Sequence, residues 1–133
     1  MSRTLRNRAA IAGIGQTEFS KASGRSELQL ACEATKAALD DAGLHARNVD
    51  GIVTFTMDSS EETEVARNLG IPMLTMFSRV PYGGGAACAV VMQAAMAVAT
   101  GAADVVVCYR AFNERSGMRF GGAAMAGPAM LPP

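Results

Sequence analysis

Four short apolar runs, rich in β-branched residues, alternate along the chain with three stretches of helical character. Residues 9–14 form the first run, closed by Gly13 and Gly15, and predict a strand. Ser26-Glu27-Leu28-Gln29 then reads as a capping box, with Ser26 as N-cap and the Gln29 side chain reaching back. Leu28, Ala31, Cys32, Thr35, Ala38, Leu39 and Ala42 follow at the spacing of one helix face, and Gly43 is placed to end the helix. Glu33 and Lys36 sit on the opposite face, three apart, as an expected pair. Residues 49–57 predict a second strand. Asp58-Ser59-Ser60 before Glu61-Glu62 marks another helix start, with acids in its first turn and an end near Leu69-Gly70. Residues 73–80 predict a third strand. Gly83-Gly84-Gly85 opens a helix over Ala86–Thr100, inside a stretch from Pro81 to Ala103 that carries no charge. With no polar face, this helix is expected to be covered on every side. Residues 104–109 predict the last strand. The order βαβαβαβ predicts an α/β fold, a mainly parallel sheet covered by helices on both faces, with right-handed crossovers.

Composition narrows the picture. Of the 133 residues 50% are hydrophobic and 18% charged, which supports an ordered core rather than a disordered chain. The net charge of +0 argues against nucleic acid as a partner. The uncharged helix is Ala-rich with Gln93 in its middle, and no Trp and no Lys or Arg flank it, so no membrane span is expected. Cys32, Cys88 and Cys108 are odd in number and form no CxxC, and His45 stands alone, so no metal set is expected. The expectation is reduced thiols in a cytoplasmic protein, with Cys32 in the core. Arg3, Arg6 and Arg8 precede too short an apolar run for a secretory signal, and no targeting segment is expected.

Two stretches carry candidate chemistry. The glycine turn admits two readings. It either permits a tight entry and close helix packing, or it opens the unpaired N–H groups of a helix start to a phosphate or a polarised carbonyl. The Gly13-x-Gly15 pair is not a dinucleotide fingerprint, because a polar stretch separates it from the next helix. After the last strand, Arg110, Asn113, Glu114, Arg115 and Arg119 are interleaved with Phe112, Met118 and Phe120. That run reads either as a solvated loop or as an interface or binding loop at the sheet's carboxyl end, where open α/β sheets bind ligands.

Longer matches bring in a family. Ala10-Ile11-Ala12-Gly13-Ile14-Gly15-Gln16-Thr17-Glu18-Phe19-Ser20, Gly24-Arg25-Ser26-Glu27-Leu28 and Asp41-Ala42-Gly43-Leu44 resemble lipid-transfer-type thiolase-like proteins. Gly101-Ala102-Ala103-Asp104-Val105-Val106-Val107 resembles the strand after their nucleophile helix. Tyr82-Gly83-Gly84-Gly85-Ala86-Ala87-Cys88-Ala89 and the run from Arg110 to Gly121 resemble the actinobacterial steroid side-chain aldolases of the sterol-carrier-protein thiolase branch. The resemblance implies that residues 1–121 are the N-terminal part of a thiolase-like domain, with residues 122–133 an atypical tail rich in Gly, Ala, Met and Pro.

In true thiolases a cysteine opens the buried helix. Counting back from Gly101-Ala102-Ala103-Asp104, that position falls on Gly84, and Cys88 is expected to be a packed core residue further along. Thiolysis through an acyl-enzyme is then excluded. The resemblance implies instead retro-aldol cleavage of a β-hydroxy steroid side-chain CoA thioester to a steroid ketone and a short acyl-CoA, with no covalently bound cofactor. Gly83, Gly84 and Gly85 would supply backbone donors, Tyr82 would line the site, and the base, a tyrosine, would lie outside this chain. A homodimer and an acyl-CoA-binding partner with a zinc ribbon and an OB fold are implied as well. Two alternatives stay open: a non-catalytic acyl-CoA-binding scaffold, and a true thiolase or acetyl-CoA acetyltransferase using Cys88 through a shifted turn.

Overall fold

A computed structural model describes residues 5–55, 60–80 and 85–115. The elements in chain order are α1 (Glu27–Ala42), a 3-10 turn (Ala46–Asn48), β1 (Gly51–Phe55), α2 (Glu62–Leu69), β2 (Met76–Val80), α3 (Ala86–Thr100) and β3 (Val106–Cys108). The three strands form one parallel sheet in the order β2-β1-β3, with Gly51 opposite both Met76 and Val106. The step from β1 to β2 and the step from β2 to β3 run in opposite directions across the sheet. Right-handed crossovers must therefore place α2 and α3 on opposite faces.

The core obeys that rule. On one face Ile52 packs with Leu30, Ala31 and Leu39 of α1 and Val65 and Ala66 of α2. On the other, Val53, Phe55 and Val80 pack with Ala86, Val90 and Ala94 of α3. All five residues of the central β1 are buried. Buried on both faces, the strand reads as the continuous apolar run seen in its sequence. The three helices end alike. Gly43, Gly70 and Gly101 take φ of 67°, 73° and 76°, a conformation open to glycine without a Cβ penalty. The next residue's N–H then folds back onto the helix, Leu44 to the Leu39 carbonyl (2.8 Å), Ile71 to Ala66 (2.9 Å) and Ala102 to Ala97 (2.9 Å).

Several expectations are corrected. Residues 9–14 form no strand in the described sheet. They run beside α1, where a Cβ on Gly13 or Gly15 would collide with the α1 backbone around Ala38. The Ile14 N–H donates to the Asp41 carboxylate (2.9 Å) instead of to a strand, and Ile11 and Ile14 stay about three-quarters exposed. The capping box is half made: Ser26 accepts from the Gln29 N–H (3.1 Å), while the Gln29 amide donates to Glu33 (2.8 Å). Glu33 pairs with Arg25 rather than Lys36. β3 lies at the edge of the described sheet, and Cys108 on it is exposed as a residue. α3 has the predicted bounds, but only Ala86, Val90, Ala94 and Ala97 are buried. Val91, Met92 and Met96 are exposed, because one sheet covers one side of the helix. Gln93, the lone amide of that helix, meets the Ser78 hydroxyl of β2 at 2.6 Å. Among the described residues no helix is long and apolar enough to cross a membrane.

The amino ends of the strands are held by Asp50. Its carboxylate accepts from the N–H groups of Asp104 (2.9 and 3.0 Å) and Val105 (2.8 Å), and its carbonyl from those of Thr75 (2.8 Å) and Met76 (3.3 Å). Charged hydrogen bonds of this kind contribute more than neutral ones. Asp50→Ala is expected to destabilise by about 3 kcal/mol, and Asp50→Asn by roughly half of that, through retention of one acceptor oxygen. Urea denaturation checks this. The midpoint should fall with an unchanged slope, and an unchanged midpoint in Asp50→Ala would contradict the assignment.

Candidate active site

The carboxyl ends of the strands come together at one edge of the fold. Phe55 ends β1, Val80 ends β2 and Ala86 begins α3, and all three are buried in one cluster. Arg110, two residues beyond β3, lays its guanidinium over the Phe55 ring, 5.5 Å from the centroid. Its other neighbour is Glu114, at 3.8 Å and half exposed. Open parallel sheets present ligand sites at this end.

Tyr82, Gly83 and Gly84 lie outside the described residues. Gly85 is the N-cap of α3, with helical φ and ψ of −73° and −14°, no side-chain cap and no acid in the first turn after it. A Cβ built on Gly85 would meet none of the described residues within 4 Å. Close packing against the described residues is therefore no reason for glycine there, and the first N–H groups of the helix have no partner within the helix itself.

Cys88 requires a correction. It was expected in the core, but it is exposed. The helix period turns it about 200° from Ala86, away from the sheet. It is the third residue of α3 and so lies in the first turn of that helix. Cys32 is half-buried against the α1–α2 core as expected, and burial raises its pKa.

The loop after β3 is only partly what its charges suggested. Asn113 is knitted into the chain. Its N–H donates to Glu27 (2.9 Å), its amide to the Arg25 carbonyl (2.8 Å), and its oxygen accepts from Ser23 (2.9 Å). Arg25 in turn pairs with Glu18 and Glu33. Asn113 thus docks the loop onto the entry to α1. Glu114 and Arg115 are exposed. Residues 116–121 lie outside the described part, as does the tail at 122–133.

Sequence reasoning missed a second set of residues at this edge. Arg79 of β2 makes a two-pronged pair with Glu62 of α2, at 3.0 and 2.9 Å, and Arg79 also reaches the Ser60 carbonyl at 3.4 Å. The Tyr109 hydroxyl donates to the same carbonyl at 2.9 Å. Glu62 is buried, and its hydrogen bond raises the Arg79 pKa against the opposing effect of burial. The signal in the sequence was a lone arginine in an otherwise uncharged strand. A separate cleft of about 340 Å³, lined by Lys36, Asp40, His45 and Asn68, lies toward the amino ends of the strands, and no predicted site residue lines it. Among the described residues no three His, Cys, Asp or Glu side chains are grouped to hold a metal ion.

The thiols should differ in reactivity. Cys108 is exposed as a residue, yet its sulfur lies against the Val90 carbonyl (3.8 Å), and burial pushes the thiol up from 9.0 to about 11. At pH 8 its thiolate population is then about 100-fold below that of an ordinary thiol. Timed iodoacetamide labelling of the native protein should modify Cys88 first. Cys108 should accelerate about tenfold per pH unit up to pH 10. Equal rates for the two at pH 8 would contradict this.

Comparison with known proteins bears on this geometry. No protein-family model matches the chain. It is 74% identical over 113 residues to a steroid side-chain-cleaving aldolase of Thermomonospora curvata, covering 85% of this chain and 29% of that protein. It is 68% identical over 117 residues to the 17-hydroxy-3-oxo-4-pregnene-20-carboxyl-CoA lyase of Mycobacterium tuberculosis, covering 88% and 30%. The solved Ltp2–ChsH2(DUF35) aldolase superposes with a TM-score of 0.84 at 70% identity, over 91% of this chain and 32% of that one. A monomeric SCP2-thiolase-like protein of Mycobacterium smegmatis gives 0.59 at 30% identity, over 74% and 22%. The chain spans about 30% of the length of the curated relatives it matches. Its described residues have the thiolase-like α/β fold, with a parallel sheet between α1 and α2 on one face and α3 on the other.

Proposed function

We propose that this chain is the N-terminal portion of a thiolase-like retro-aldolase that cleaves a β-hydroxy steroid side-chain CoA thioester. The observation that carries the reading is identity of 74% and 68%, across more than four-fifths of the chain, to an aldolase and a lyase of steroid side chains. The lyase's name places a hydroxyl on carbon 17 and the carboxyl-CoA on carbon 20. Such a hydroxyl is β to the thioester carbonyl, the arrangement a retro-aldol step needs.

The step balances without an oxidant, a reductant or free CoA. A base takes the hydroxyl proton. The bond between the hydroxyl carbon and the α-carbon breaks, the oxygen becomes a ketone, and the electron pair passes into a thioester enolate. Protonation of the α-carbon gives a short acyl-CoA. The uncapped start of α3, after Gly83, Gly84 and Gly85, would steady the enolate oxygen. Tyr109 is a poor base, since its buried hydroxyl already donates to Ser60. The base belongs to the part of the protein beyond this chain. That part, or a second copy in a homodimer, would cover Val91, Met92 and Met96 on α3. A DUF35-type acyl-CoA-binding partner with a zinc ribbon and an OB fold, and a cytoplasmic location, complete the proposal. The solved aldolase named with ChsH2(DUF35) supports the partner.

One observation favours a second reading. Cys88 is exposed in the first turn of α3, as a thiolase nucleophile would be. Labelling of Cys88 that acyl-CoA blocks would support it.

The test is release of short acyl-CoA from a β-hydroxy steroid-CoA by full-length protein with its partner, free CoA omitted. Turnover is expected, and Gly84→Val should slow it about 100-fold or more by closing the approach to backbone donors. A strict requirement for free CoA would overturn the aldolase reading in favour of thiolysis.

A further inference from the structure

We infer that Arg79 and Glu62 are positioning residues that set the start of α3 against the carboxyl ends of the strands; this rests on the reading of that edge as the reaction site. The pair joins three connections. Arg79 is the penultimate residue of β2, and five residues separate it from Gly85, the N-cap of α3. Glu62 is the first residue of α2, reached from the end of β1. Ser60, on the way into α2, accepts from both Arg79 and Tyr109, and Tyr109 follows β3 directly. One guanidinium, one carboxylate, one phenol and one carbonyl thus tie the exits of all three strands.

The construction is two-pronged and largely buried. Both guanidinium contacts to Glu62 lie at 2.9–3.0 Å, with 9% of the Glu62 side chain and 33% of the Arg79 side chain exposed. The carboxylate also sits at the positive end of α2, which favours it. A lysine keeps the charge but not the fork. The neighbour of Arg79, Val80, packs with Ala86 and Val90, so a shift at the end of β2 passes to the first turn of α3. The pair is not itself placed to touch substrate. Its effect would be on geometry, where about 1 Å of misplacement costs as much as 100-fold in rate.

The test uses R79K and the double variant R79Q/E62Q in the full-length protein with its partner. Both avoid leaving Glu62 buried and unpaired, so both should fold. Amide exchange is read at Ala89 and Val90 of α3 and, as a control for overall stability, at Ala31 and Leu39 of α1. The expected result is exchange about tenfold faster at Ala89 and Val90 with α1 unchanged. The kcat for acyl-CoA release should fall about tenfold or more, with KM within about threefold. Unchanged exchange at Ala89 and Val90 overturns the inference, and so does equal acceleration in α1 and α3. Faster local exchange with an unchanged kcat overturns it too. If wild-type protein releases no acyl-CoA without free CoA, the aldolase reading fails, and the exchange data decide the positioning role by themselves.

Discussion

The structure depends on a single residue at the amino ends of the strands. Asp50 immediately precedes β1 and holds both neighbours of that strand: β3 through its carboxylate, β2 through its carbonyl. Thr75 closes the arrangement, its hydroxyl touching both the Asp50 carbonyl (3.1 Å) and that of Ala102 (2.8 Å). A parallel sheet of short strands has few ladder bonds with which to set its register. With β3 only three residues long, the charged contacts to Asp50 fix where Val106 falls against Gly51. Everything at the carboxyl edge inherits that alignment.

At the opposite edge other side chains tie the strand exits to one another. The face of each strand residue decides its partner. Thr54 and Arg79 lie side by side in the sheet, so Arg79 points to the α2 side and meets Glu62. Val53, Ser78 and Cys108 lie side by side on the other face, so Ser78 meets Gln93 and the Cys108 sulfur meets the Val90 carbonyl. The helix whose start forms the proposed oxyanion site is therefore seated by its middle as well as by its first turn. Among the described residues, Val91, Met92 and Met96 on its outer side stay exposed, and Gly85 gives its first turn no side-chain cap.

Local signals in the sequence were read well where they were truly local. Ser26 and Gly43 bound α1, Gly70 and Gly101 stop their helices, and α3 runs from Ala86 to Thr100 as its composition indicates. What failed depended on partners far along the chain. Residues 9–14 have the pattern of a strand, but no pattern reveals that Gly13 and Gly15 will lie against α1. Cys88 looked buried because the helix has no polar face, and only the position of the sheet shows which side faces outward. Glu62 and Arg79 are 17 residues apart, and Asp50 and Asp104 are 54 apart, so neither contact leaves a periodic trace. The reaction class came from resemblance rather than from spacing.

Oxygen labelling tests the central claim most directly. Full-length protein with its partner is given a β-hydroxy steroid-CoA carrying ¹⁸O in the β-hydroxyl, without free CoA, and both products are weighed at early times. Retro-aldol cleavage puts ¹⁸O in the steroid ketone and none in the short acyl-CoA, because the hydroxyl oxygen becomes the carbonyl when the carbon–carbon bond breaks. Loss of the label to water during cleavage, or cleavage only after free CoA is supplied, would contradict it.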